Sequence, residues 1–107
     1  LIESLPARVL TGEAHLDREV ADGYCCDLLS WVMAHGKRGG AWITVQTHLN
    51  TVAVASLLEL ACIIVPEDID VNEQTLSKAR EEGIAVLGTS LTGYQASGRL
   101  ISQGIGG

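Results

Sequence analysis

The chain has 107 residues, 47% hydrophobic and 19% charged, which fits one globular domain with a modest core and argues against a disordered segment. Its formal net charge is −6, from 7 Lys and Arg against 13 Asp and Glu, so it lacks the basic face with which proteins hold a nucleic-acid backbone. No apolar run nears the ~18 residues that span a bilayer, no basic-then-apolar leader opens the chain, and three cysteines, two of them adjacent, fit a reducing cytoplasm better than a disulfide framework.

The segment 1–5 reads as a short helical turn limited by Pro6, because the residue before a proline avoids helical angles. Residues 8–11 read as a first strand, with Gly12 as a turn. His15, between Glu13 and Asp17, reads as a solvated loop residue. A second, weaker strand is expected over 18–23. Residues 27–35 form a helix with Asp27 as N-cap and Gly36 and Gly39-Gly40 as its end. Leu28, Trp31, Val32 and His35 share one helical face, and His35 places a cation-capable ring at the carbonyl end of the dipole.

Trp42, Ile43 and Val45 have the aromatic and β-branched character of a strand. A polar turn follows, and Asn50 is the expected N-cap of the next helix. From Val52 to Ala61 only Ser56 and Glu59 interrupt the apolar run, so this helix is expected to be buried on more than one face. It would lie between the sheet and a second layer, for which another subunit is the candidate. Residues 62–65 are a strand stopped by Pro66. Residues 72–82 are amphipathic, with Leu76 and Ala79 inward and Glu73, Lys78, Arg80 and Glu81 outward. Gly83 is the expected C-cap. Residues 84–87 are the last strand, Ser90 or Thr92 caps a final helix reaching about residue 102, and 104–107 is a glycine-rich end.

This β-β-α-β-α-β-α-β-α order predicts a single α/β domain over residues 1–107. Its architecture is three-layer α/β/α around a mostly parallel, mixed sheet of about five strands. Ile43, Val45, Ile63, Val65 and Val86 fall in the sheet core, and the first two strands supply an antiparallel edge.

The candidate binding residues are polar groups at strand ends. Gln46, Thr47, His48 and Asn50 cluster where a strand delivers the chain to a helix N-terminus, a place suited to an anion or a nucleotide phosphate. Thr89 and Ser90 form a second such cluster, and adjacent strands would join the two into a small polar pocket. Either set can instead simply cap and satisfy its turn. His48 reads as a loop histidine bonded to neighbouring backbone or as a ligand contact with a protonatable ring. No residue set defines a catalytic chemistry. Gly36-Lys37-Arg38-Gly39-Gly40 has the wrong order for a phosphate-binding P-loop, which also begins a helix where this segment ends one. Cys25-Cys26 is vicinal and lacks zinc-ligand spacing, and Ser30 and Ser56 have no placed base. The expectation is therefore a non-enzyme without metal or cofactor.

Several stretches resemble the DRTGG-domain family and the related N-terminal domain of bacterial HPr kinase/phosphorylase. They are Gly23-Tyr24 leading into Cys26-Asp27-Leu28-Leu29-Ser30-Trp31-Val32-Met33, then Trp42-Ile43-Thr44-Val45-Gln46 with Asn50-Thr51-Val52-Ala53-Val54-Ala55, and Glu82-Gly83-Ile84-Ala85-Val86-Leu87-Gly88-Thr89. The resemblance spans nearly the whole chain and is mostly of fold-level motifs. It implies a three-layer α/β/α domain that regulates or assembles other modules, occurs beside CBS pairs, phosphate acetyltransferases and inorganic pyrophosphatases, and is often dimeric. The chain departs from the family at its Thr-Gly-Gly, where Val65-Pro66-Glu67 stands instead. The combined expectation is a non-catalytic regulatory or assembly domain working as a homodimer. It would respond to a protein partner or a small anionic ligand, and bind neither nucleic acid nor membrane. The alternative is an anion- or nucleotide-binding sensor centred on the turn 47–50.

Overall fold

Three strands, β3 (Gly40–Ile43), β4 (Cys62–Val65) and β5 (Ala85–Gly88), bury all four of their residues, as strands do when both faces of their sheet are covered. The computed structural model describes residues 5–12 and 19–105. Expectations for residues 1–4, His15, Arg18 and 106–107 lie outside those residues. The other elements are β1 (Arg8–Val9), β2 (Asp22–Cys25), α1 (Leu29–His35), α2 (Leu49–Leu57), α3 (Glu73–Glu82) and α4 (Gly93–Ser102).

The sheet order is β1-β5-β4-β3-β2. β2 to β5 are parallel and lie side by side in sequence order, and β1 pairs antiparallel with β5. The first two strands thus occupy opposite edges and form no pair. Only β1 is antiparallel, and β2 starts four residues and ends two residues later than expected because its partner is β3, with Tyr24 opposite Trp42.

Side chains alternate across the strands. Trp42, Ile63, Val65 and Val86 pack under Val32 of α1, Val52, Val54 and Ala55 of α2, and Leu76 and Ala79 of α3. Ala41, Ile43, Cys62, Ile64, Ala85 and Leu87 face the other way, toward Leu5 and the Ala96 and Leu100 of α4. Three helices therefore cover one face and one helix the other, giving the expected three layers.

Local capping chemistry sets several helix ends. The Asn72 side chain accepts the Thr75 amide hydrogen at 2.9 Å and starts α3. Gly83 ends it at φ 72°, a left-handed conformation that costs glycine little. Thr92 and Gln95 form a reciprocal capping box on α4. Two expected caps differ. His48, not Asn50, caps α2, and α1 begins after Leu28 with no side-chain cap. The expected apolar face of α1 buries only Val32. Trp31 remains 51% exposed, donating its indole hydrogen to Tyr24 Oη at 2.7 Å and stacking on His35 with ring centres 4.1 Å apart. Val45, expected in the sheet core, is 40% exposed because β3 ends at Ile43.

Burial raises the Cys62 thiol from the ordinary 9.0 to about 12. The folded chain thus holds this proton to higher pH than the unfolded chain does. The resulting stability is intact below about 9 and declines as pH climbs toward about 12. Iodoacetamide at mildly alkaline pH should label exposed Cys25 readily and leave Cys62 unmodified until denaturant is added. Mass mapping of Cys62 alkylated in the native state would refute this placement.

Candidate functional site: the carboxyl rim of the sheet

The four parallel strands end along one rim, at Cys26–Leu28, Thr44–His48, Pro66–Asp68 and Thr89–Thr92. Bonds across the loops tie this rim together. Asp27 Oδ1 accepts from Thr44 Oγ1 at 2.8 Å and from the Val45 amide at 2.9 Å. Trp42 Nε1 donates to the Cys26 carbonyl at 2.7 Å, and Thr44 Oγ1 accepts the Gln46 amide at 3.1 Å. Asp27 was expected to cap its own helix. It braces the neighbouring loop instead, and no local sequence pattern signals that role.

The turn after β4 holds Glu67 and Asp68 at φ 61° and 54°, the left-handed region that favours glycine. Here backbone bonds impose the conformation: the Glu67 amide donates to Leu91 O at 2.8 Å and the Asp68 amide to Thr89 O at 2.9 Å. Connections from β4 and β5 leave toward opposite faces, since α3 lies on one and α4 on the other. The topological switch point, where open α/β sheets tend to take ligands, is therefore between β4 and β5.

Each expected site residue has a definite place on this rim. Gln46 is exposed. Thr47 is half-buried, and its carbonyl accepts from Thr75 Oγ1 at 2.9 Å. His48 Nδ1 accepts the Asn50 amide at 3.1 Å. An amide can only donate, so Nδ1 carries the lone pair and the ring hydrogen of the neutral form is on Nε2. Asn50 is exposed in the first turn of α2. One residue further, Thr51 is 2% exposed and its Oγ1 has no hydrogen-bond partner. Sequence reasoning did not single out Thr51, because a helical threonine carries no signal of an unmatched hydroxyl.

The second cluster differs in kind. Thr89 is buried, donating to Pro6 O at 2.8 Å and accepting the Leu91 amide at 3.2 Å, so its hydroxyl is committed to structure. Ser90 is exposed beside a shallow depression it shares with Pro6, Ala7, Arg8 and Asp68. Arg8 and Asp68 approach to 3.5 Å there as an exposed ion pair, a contact of small energetic weight. The two clusters are not joined. β4 stands between β3 and β5, so they lie two strand spacings apart, roughly 10 Å. Among the described residues no three His, Cys, Asp or Glu side chains gather as a metal site. No described helix is long and apolar enough to cross a membrane.

These elements define a three-layer α/β domain with a polar carboxyl rim. No family model and no curated protein matches the chain. A solved structure does: the CBS and DRTGG domains of the regulatory region of Clostridium perfringens pyrophosphatase, complexed with its activator diadenosine tetraphosphate. The match has a TM-score of 0.75 at 18% identity and covers 98% of this chain but 45% of that one. The chain thus spans about half the length of that regulatory region and shares the fold of the part it covers, which supports a DRTGG-like architecture.

Proposed function

We propose that this chain is a non-catalytic regulatory or assembly domain that acts as a homodimer and answers to a small anionic ligand at the carboxyl rim. The observation that carries the reading is the distribution of exposed apolar side chains. Leu28 and Trp31 stand on one side of β2, and Tyr94 and Ile101 on α4, the helix across β2, on the other. β2 is a sheet edge paired only with β3 among the described residues. Apolar side chains flanking a sheet edge suit association. A ligand favouring one subunit arrangement would shift the population toward it, which is all that a regulatory response requires. The similar regulatory region binds a nucleotide activator, and a ligand of that class is the first to test.

The second reading, an anion sensor at the turn 47–50, is favoured by the unpartnered Thr51 hydroxyl next to it at the α2 N-terminus, where the helix dipole adds partial positive charge. Melting in the presence of inorganic phosphate, adenine nucleotides and dinucleoside polyphosphates tests both readings. A true ligand at a hundredfold excess over its Kd adds ~2.7 kcal/mol, and no shift across the panel refutes ligand response. Thr51→Val should raise unliganded stability, by up to about 1–3 kcal/mol, since a buried hydroxyl without a partner costs its desolvation. It should also weaken any ligand that uses the turn. His48→Ala should cost about 1 kcal/mol through the lost cap. If His48→Ala and Asn50→Ala change stability alone while ligand response persists, the turn is structural. Light scattering that gives 11.3 kDa at every concentration would refute the homodimer.

A further inference from the structure

The flanks of α4 differ in character. Gln95, Arg99 and Ser102 line one flank, and Tyr94, Ser97, Gly98 and Ile101 line the other, by the 100° step of the helix. The second flank borders the β2 edge. An apolar cavity of about 130 Å³ opens there, with Gly23, Tyr24, Cys25, Leu100, Ile101 and Ile105 among its walls. An apolar cavity of that order holds one benzene-sized group. On the same flank Tyr94 projects its ring into solvent at 91% exposure, with Ile101 at 67%. Between them Gly98 has open space where a Cβ would stand, so another backbone can approach closely.

We infer that this flank is a two-fold interface between copies of the chain, in which Tyr94 of each copy fills the β2–α4 cavity of the other. The inference rests on the homodimer reading and specifies its surface. Two α4 helices crossing antiparallel at Gly98 bring each Tyr94 toward the other copy's Ile101, beside the cavity mouth. The arrangement is self-complementary, as a two-fold contact must be. Charge selects the same occupant. The chain carries −6 overall, yet residues 83–107 contain no Asp or Glu and one cation, Arg99. Two acidic copies can meet there without like-charge repulsion, whereas a strongly charged peptide would find almost no countercharge. Trp31, the other exposed aromatic beside β2, already bonds Tyr24 and stacks on His35.

Sedimentation equilibrium on the whole chain tests the proposal, with Tyr94→Ala and Gly98→Glu as variants. Both positions are exposed, so both variants should melt cooperatively as folded proteins. Truncating an interface anchor should weaken the dimer about thirtyfold or more, and the charge at position 98 should abolish it. In a Cys25→Ser background, Gly98→Cys should form an intermolecular disulfide on oxidation, because a residue on the axis brings its two Cα atoms within reach. Folded monomeric variants with a cross-linked Gly98→Cys support the interface. A dimer that survives both variants without cross-linking overturns it and leaves the homodimer reading intact. A wild-type chain that is monomeric at all concentrations overturns both.

Discussion

Trp42→Ala should lower the free energy of unfolding by about 3–5 kcal/mol, the cost of emptying a buried aromatic site. A domain of this size has roughly 5–15 kcal/mol in total, so the variant should sit near the limit of folding at ambient temperature. The effect is large because Trp42 joins two roles. Its ring is 1% exposed beneath the three-helix layer, and its indole nitrogen donates to the Cys26 carbonyl, fixing the loop that leaves β2. Trp42→Phe separates the roles. It keeps an aromatic ring and loses the donor, and it should cost less, about 1–3 kcal/mol. Urea unfolding followed by far-ultraviolet circular dichroism measures both. A loss below about 1 kcal/mol for Trp42→Ala would contradict this placement of the ring.

Asp27→Ala should cost about 1.5–3 kcal/mol, the scale of hydrogen bonds to a charged group, reduced where water can replace them. The carboxylate oxygen receives both a hydroxyl and an amide of the next loop, so its removal frees the start of the 44–48 segment. Amide exchange at Val45 and Gln46 should quicken while the β4 amides keep their protection. Asp27→Asn retains an acceptor oxygen and should lose less than half as much. Equal exchange at Val45 in wild type and Asp27→Ala would show that the brace is idle.

Elements whose limits come from neighbouring residues were legible in the sequence. β4 has the expected limits because an all-apolar run meets Pro66. α3 lies between Asn72 and Gly83, whose capping geometries are local, and Thr92 was one of two residues expected to start α4. β2 was shifted because Asp22-Gly23-Tyr24-Cys25 is a poor strand by composition and exists through pairing with β3. Asp27 was misread for a related reason. Its partners are 17 and 18 residues away, and a cap reading sees only the next turn. Val45 looks like a strand residue, yet its amide is taken by Asp27 and the chain leaves the sheet. Gln46, Thr47, His48 and Asn50 were recognisable as a polar turn. That β4 separates them from Thr89 and Ser90 depends on strand order, which local pattern does not contain.

The position of β1 bears on how the chain is made. From β2 to β5 the strands lie side by side in the order of their synthesis, so the parallel sheet can grow in order as the chain emerges. β1 is the exception. It precedes the other described strands and pairs with the last of them, Arg8 opposite Gly88, so it closes the longest loop among them. Until it arrives, the outer edge of an otherwise finished sheet offers unpaired amides to any other nascent chain. β1 then covers that edge with two residues, the Leu10 amide on Val86 O, and the Thr11 hydroxyl in place of a further backbone acceptor for the Val86 amide. A chain lacking residues 5–12 should therefore reach a native-like sheet and then aggregate through that uncovered edge.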